Sequence, residues 1–151
     1  MKPAPPDFTT LQDLLAGLAA DQAPLWGTMN AGQMCHHCSS FIKLSLGEKK
    51  TSTTTRMIGF LFGKLMYRYF STKTIYTFPK NMNTLPEIKQ RADRTFDIDA
   101  EKTALINCLA RASQAQGKIR HPLYGNMPAP QIQQLVLLHT AYHFRQFGLI
   151  D

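Results

Sequence analysis

Cysteines and long apolar runs are scarce in this chain, and each shortage excludes a class of protein. Three cysteines cannot form an even set of disulfides, so reduced thiols are the simpler assumption for Cys35, Cys38 and Cys108. The longest apolar run covers residues 57–63 and ends at Lys64, whereas a membrane span needs about 20 apolar residues. The proline-rich start lacks the apolar stretch of a secretory signal. We therefore expect a cytoplasmic protein with no membrane partner.

Acidic residues are also few, because 10 Asp and Glu stand against 17 Lys and Arg and leave a net charge of +7. Between residues 49 and 94 the only acidic residues are Glu87 and Asp93. A nucleic acid or another anionic ligand would explain such a segment, but its basic residues are spread out and no nucleic-acid-binding motif accompanies them. A solvated basic surface is the preferred interpretation, and nucleic acid is not expected as a partner.

The composition is typical of one mainly helical domain. The 151 residues, 44% of them apolar, suffice for a buried core, so residues 1–151 are predicted to form a single domain in which residues 1–8 are loosely ordered. Apolar residues recur at helical spacing in four segments and at mixed spacing in a fifth, residues 56–70. Helices are predicted from Thr9 to near Ala20, from Asn30 to Gly47, over 56–70, from Asp99 to Gly117 and over 130–148. Strand signals are weak, so the expected fold is all-α, a bundle with four substantial helices.

Two connecting segments are harder to assign. Residues 75–78 could be extended, because Pro79 follows them. Residues 121–130 are rich in proline and glycine and are predicted to form a loop. His121 at the start of this loop could line a pocket, although turn formation is a sufficient explanation for it.

The last predicted helix carries the first candidate site. His139 and His143 are four residues apart, so on a helix both rings project from one face and can reach one metal ion. Thr140 follows His139, so the catalytic glutamate of the His-Glu-x-x-His motif is missing. The same spacing is also typical of two core histidines, and from the spacing alone this alternative stays open.

A third ligand is available on the second predicted helix, which begins with the capping-box-like pair Asn30 and Gln33. Of the adjacent histidines there, His37 lies on the flank of the apolar stripe and His36 lies roughly opposite it. His37 is therefore the inward-facing candidate, and His36 is expected to be solvated. Cys35 and Cys38 lie in mid-helix rather than after a strand, which favours two small buried hydrophobes over a redox pair. Their role stays open.

Three motifs resemble one known group of proteins. Residues 26–38 (Trp-Gly-Thr-Met-Asn-Ala-Gly-Gln-Met-Cys-His-His-Cys) are similar to the second-helix motif of an uncharacterised bacterial branch of the DinB/YfiT-like superfamily. Residues 121–125 (His-Pro-Leu-Tyr-Gly) and residues 139–148 resemble the turn and the closing helix of that branch. The resemblance implies a four-helix bundle, often dimeric, with a divalent metal ion, zinc or nickel, held by three histidines. The matching residues here are His37, His139 and His143, while Tyr142 stands where relatives often have a further histidine.

The resemblance implies two kinds of function. One is a metal-dependent enzyme, a thiol S-transferase or hydrolase, that takes a small molecule or a low-molecular-weight thiol as its ligand. In that case Gln146, one helical turn after His143, would orient a ligand or a bound water. The other is a non-catalytic ligand-binding or stress-response module with the same fold and a structural or vestigial metal site. A homodimer fits either function, and the sequence does not decide whether the protein is an enzyme.

Overall fold

The computed structural model describes residues 4–151, and within this range it is mostly helical. Five α-helices and one two-stranded antiparallel sheet follow in chain order: α1 Phe8–Ala16, α2 Ala31–Ser45, α3 Thr53–Phe70, α4 Ile98–Ser113, β1 Lys118–His121, β2 Gly125–Pro128 and α5 Ala129–Gln146. No helix in residues 4–151 combines the length and apolar character needed to cross a membrane. The predicted loose start lies partly outside the described residues, which begin at Ala4.

The core lies between four of the helices. Helices α4 and α5 contact each other and both contact α1 and α2, whereas α3 packs mainly against strand β2. Their shared core includes fully buried large apolar side chains from each of the four helices: Leu11, Leu15, Met34, Ile42, Leu105, Leu109, Ile132 and Phe144. The packing of α2 against α5 is the contact that matters for the site, because it sets one face of α2 against the histidine-bearing face of α5.

A capping box begins α2, as predicted. The Asn30 side chain accepts a hydrogen bond from Gln33 N at 2.9 Å, and Gln33 Oε1 accepts one from Asn30 N at 3.0 Å. The Gln33 amide nitrogen also donates to the carbonyl oxygens of Arg91 at 3.1 Å and Arg94 at 2.9 Å. One buried glutamine therefore starts the helix and ties the connecting segment before α4 to it.

The predicted loop over residues 121–130 was wrong in part, because a hairpin occupies most of it. His121 ends β1 and pairs with Gly125, and Ile119 pairs with Met127. Met127 is buried while its neighbour Asn126 is exposed, which is the alternation of a half-buried strand. Strands of four residues are too short for this alternation to be recognised among prolines and glycines.

Several predicted helix starts were displaced by a few residues. Asp7 caps α1 through Thr10 N, which lies 2.8 Å from its carboxylate, so the helix begins at Phe8 and ends at Ala16. Asp97, and not Asp99, caps α4. Ser52 caps α3, which begins three residues before the predicted start at residue 56. Residues 75–78 form a turn instead of an extended segment. Neighbouring Asp, Ser and Thr residues are all good caps, so propensity alone does not choose among them.

Candidate metal centre

Three histidines from two helices converge between α2 and α5. His37 comes from α2, and His139 and His143 come from α5. Their potential ligand nitrogens all lie within 4.8 Å of one another, and the Nε2 atoms of His37 and His139 are 3.2 Å apart. Two nitrogens bound to one zinc ion at about 2.0–2.1 Å would lie about 3.3 Å apart in tetrahedral geometry. The sequence-predicted trio is therefore brought together at a spacing that could hold a divalent metal ion.

His37 is held in the orientation that a metal ligand needs. Its Nδ1 lies 2.9 Å from the carbonyl oxygen of Ile88. Because a carbonyl only accepts, Nδ1 carries the proton and the lone pair of Nε2 points toward the other two histidines. His36 lies outside the cluster, where Nδ1 is 3.1 Å from the Glu101 carboxylate and the ring stacks on Phe96. The prediction that His37 faces inward is confirmed, while His36 is only partly exposed.

His143 is oriented in the same way by a side chain. Its Nδ1 is 2.7 Å from Gln146 Oε1. Because an amide oxygen only accepts hydrogen bonds, Nδ1 of His143 carries the proton and Nε2 keeps a lone pair. The Gln146 amide nitrogen in turn donates to the carbonyl oxygen of Trp26 at 2.7 Å. Gln146 therefore contacts a histidine and the loop before α2.

His139 is held by ring stacking and by a hydrogen bond between its Nε2 and Nε2 of His37, which lie 3.2 Å apart. Its ring lies parallel to the Phe41 ring, with centroids 3.7 Å apart and an interplanar angle of 7°. Its Nδ1 is buried and has no hydrogen-bond partner within residues 4–151. Part of the His139 side chain remains accessible to solvent, whereas His37 and His143 are buried. Solvent can therefore reach the cluster most directly over His139.

Burial keeps all three imidazoles neutral. Burial, and next the two neighbouring histidines, hold the pKa of His139 well below its ordinary value. Burial and the nearby His37 lower the pKa of His143 to about 3. The pKa of His37 is also lowered by burial, although its hydrogen bond to Ile88 acts in the opposite direction. Neutral imidazole is the form that binds metal, so the cluster is in its binding form at neutral pH.

These depressed pKa values predict a loss of stability in mild acid. An unfolded histidine takes up a proton near pH 6.5, whereas folded His143 resists protonation down to a pKa of about 3 and folded His121 to about 4. The unfolded chain then binds more protons, so the free energy of unfolding of the metal-free protein should fall as the pH drops below about 6.5. Urea denaturation should show a decrease of at least about 2 kcal/mol between about pH 7.5 and about pH 5. A constant free energy over this range would mean that the native histidines protonate freely.

Gln146 offers a test of how the cluster is supported. Gln146→Ala removes the acceptor from His143 Nδ1, so zinc affinity should fall about 10- to 100-fold. Gln146→Glu keeps an acceptor for His143 Nδ1 but loses the donor to the Trp26 carbonyl oxygen, so it should retain more of the affinity than Gln146→Ala. Competition of zinc with a chromogenic chelator measures both variants. Equal zinc affinity in Gln146→Ala and the wild type would show that this hydrogen bond does not orient His143.

The remaining sequence candidates lie outside the cluster. His121 is buried, and its Nδ1 accepts hydrogen bonds from the backbone nitrogens of Leu123 at 3.2 Å and Tyr124 at 3.3 Å, so it shapes the hairpin turn. Cys35 and Cys38 are free and buried. Burial raises the pKa of Cys35 to about 12 and that of Cys38 well above its ordinary value. Protonated buried thiols of this kind are core residues and not a reactive pair.

Sequence reasoning missed the groups that position the histidines. The Ile88 carbonyl lies in a segment without a motif, and in the sequence nothing distinguishes Phe41 from the other apolar residues of α2. A backbone carbonyl leaves no trace in side-chain identity, so no signal could have identified Ile88. Tyr142 places no ligand atom in the trio, because its hydroxyl is 3.2 Å from both Trp26 Nε1 and the Pro79 carbonyl oxygen, while its ring packs edge-on against His143.

The fold and the site together define a mainly helical domain with a three-histidine cluster that could hold a metal ion. The chain belongs to the family described as protein of unknown function DUF1569, whose profile matches residues 7–148. No curated protein and no solved structure shows significant similarity to it. The family identifies the domain over nearly the whole chain and attaches no reaction to it.

Proposed function

We propose that this protein is a metal-dependent enzyme of DinB/YfiT-like type, a thiol S-transferase or hydrolase that holds zinc or nickel with His37, His139 and His143. The observation that carries the proposal is the convergence of three neutral imidazoles, two of which have Nδ1 fixed by an acceptor. A histidine whose other nitrogen is hydrogen-bonded in this way is the usual arrangement of a metal ligand.

The helical packing supports the DinB-like part of the proposal. Helices α4 and α5 contact each other and both contact α1 and α2, while α3 packs mainly against the hairpin. Under the proposal these four helices correspond to the four-helix bundle of the superfamily, and α3 belongs to the connection between its second and third helices. The ligands then come from the second and the last helices of the bundle.

The ligand set supports a catalytic use of the metal. Imidazole nitrogens suit zinc and nickel, and three protein ligands leave coordination positions for water or substrate. Such an ion supplies Lewis acidity, which lowers the pKa of a bound water or thiol. The chain's own contribution is to hold His37 and His143 by hydrogen bonds and His139 by stacking, and to leave part of His139 open to solvent. The proposed substrate side therefore lies over His139.

The test is metal content together with turnover. Protein purified without chelator should contain about one zinc or nickel ion per chain by plasma mass spectrometry. The metal-loaded protein should transfer cysteine or glutathione to an aryl halide, or hydrolyse a nitrophenyl ester, and chelation should abolish that activity. A wild-type protein that neither retains nor binds added zinc or nickel would overturn the proposal.

A second candidate is a binding module whose metal is only structural. One observation favours it: a cavity beside Tyr67 and Leu135 and another beside Pro86 and Gln90 are both lined by residues other than the three histidines. A metal held away from a ligand cavity would stabilise the fold without chemistry. This candidate predicts that zinc raises the melting temperature while neither thiol transfer nor hydrolysis depends on metal.

A further inference from the structure

Helix α3 presents its large apolar side chains to solvent. Its inner face consists of small residues, Thr55, Gly59 and Gly63, which are buried. The other side chains of the helix include strongly exposed apolar residues: Met57, Ile58, Phe60, Leu61, Phe62, Leu65 and Tyr69. Phe60 is 89% exposed and Leu65 is 69% exposed. Contiguous apolar surface of this kind on one helix marks an interaction site.

Five of these residues form one continuous stripe. Ile58, Leu61, Phe62, Leu65 and Tyr69 recur at steps of three and four, so they share a face of the helix that we call the outer stripe. The helix has 18 residues, which corresponds to a length of about 27 Å. The outer stripe is therefore a long apolar surface that the rest of residues 4–151 leaves largely open to solvent.

The charges around the outer stripe have one sign. Helix α3 contains Arg56, Lys64 and Arg68 and no acidic residue. The two carboxylates of residues 49–94 are both engaged. Glu87 accepts hydrogen bonds from Ser52 N at 2.8 Å and Thr55 Oγ1 at 2.7 Å, and Asp93 pairs with Arg91 at 2.8 Å. The surface around the outer stripe is therefore basic, without an acidic group of its own to balance it.

The positive charge of α3 distinguishes between the partners that could cover the outer stripe. A second copy packed stripe to stripe would bring the same basic residues together without a carboxylate between them. A nucleic acid would match the charge but would leave the outer stripe in water. An anionic lipid surface supplies both negative headgroups and an apolar layer, which is the environment that basic amphipathic helices prefer.

We propose that α3 is a membrane-surface helix that lies in the interface of an anionic bilayer. The outer stripe enters the boundary of the acyl chains, and Lys64 and Arg68, which lie beside the stripe on the helix, reach the phosphates of the headgroups. The helix lies along the surface and does not cross it, in agreement with the lack of a membrane-spanning helix in residues 4–151. Because α3 packs against the hairpin and not among the core helices, docking leaves the histidine cluster in place.

Co-sedimentation of the full chain with vesicles tests this proposal. The wild type should pellet with vesicles of phosphatidylcholine and phosphatidylglycerol but not with phosphatidylcholine alone, and added salt should weaken the binding. The pair Leu61→Ser and Leu65→Ser should lower vesicle binding at least about tenfold, and so should the pair Lys64→Glu and Arg68→Glu. Matched controls change exposed residues away from α3: Ile106→Ser on α4 and Lys118→Glu on β1 should bind as the wild type does.

Two results would overturn the proposal. One is a wild-type protein that does not bind anionic vesicles. This result overturns the proposal even if sedimentation equilibrium shows a dimer that is dissociated by Leu61→Ser and Leu65→Ser. In the dimer case a second copy covers the outer stripe. The other is vesicle binding that persists in both paired variants. Circular dichroism of each variant checks that the fold is intact, and none of these outcomes depends on the metal site.

Discussion

Replacing His139 by alanine will lower the affinity for zinc or nickel by more than about a hundredfold. His139 lies between the two helices, with its Nε2 only 3.2 Å from that of His37. Without it, His37 and His143 remain as two ligands, and two protein ligands bind a divalent ion weakly. Chelator competition gives the affinity, and plasma mass spectrometry should find almost no metal in the purified variant.

The matched control for this variant is the histidine beside the cluster. His36→Ala removes an imidazole that pairs with Glu101 outside the site, so metal affinity should stay at the wild-type level. Thermal denaturation separates binding from folding, because metal at 100 times its Kd stabilises a folded protein by about 2.7 kcal/mol. The wild type and His36→Ala should show this gain and His139→Ala should not. Equal metal affinity in all three proteins would contradict the three-histidine site.

Replacing Gly63 by alanine will destabilise the fold by about 3 kcal/mol or more. A Cβ atom at this position would overlap the carbonyl oxygen of Leu123 in the hairpin turn. At Gly59, one turn earlier, a Cβ would lie 2.7 Å from Leu123 Cα and 2.9 Å from the Pro122 carbonyl oxygen. Backbone atoms cannot rotate away as a side chain can, so the helix and the turn would have to separate. The gain in helix propensity from glycine to alanine is only about 1 kcal/mol.

Urea denaturation measures this effect, and Gly17 supplies the control. Gly17 has an ordinary φ of −77°, and a Cβ there would meet only the Leu14 carbonyl oxygen at 3.4 Å. Gly17→Ala should therefore change the free energy of unfolding by less than about 0.5 kcal/mol. If Gly63→Ala were as stable as Gly17→Ala, α3 would not rest on the hairpin turn in solution.

The three clustered histidines were predictable because helical periodicity determines which side chains share a face. His139 and His143 had to project together once their segment was helical, and the apolar stripe of α2 selected His37 over His36. The structure agrees with both inferences. It adds the packing of α2 on α5, which periodicity does not contain, since a sequence shows which face is apolar but not which helix covers it.

Helix α3 shows the opposite case. Its apolar residues predicted a helix, but their mixed spacing did not show which face is buried. In the fold the small residues Gly59 and Gly63 face inward, and the large apolar residues face solvent. The close approach of the hairpin turn at Leu123 explains why the glycines face inward, because only a glycine surface admits a backbone at that distance. A membrane partner was therefore not expected from the sequence, which lacks a spanning segment.

The local features of this protein follow from its sequence, since helices, caps and the shared face of His139 and His143 depend on neighbours within a few residues. The tertiary structure alone determined the features that depend on distant groups. Ile88 and Gln146 orient two of the histidines. The 3.2 Å separation of His37 and His139 depends on how α2 packs against α5. The contact with the hairpin determines that the large apolar side chains of α3 face solvent. The reason is physical: these contacts join segments far apart in the chain, and several of them involve backbone atoms that every residue type shares.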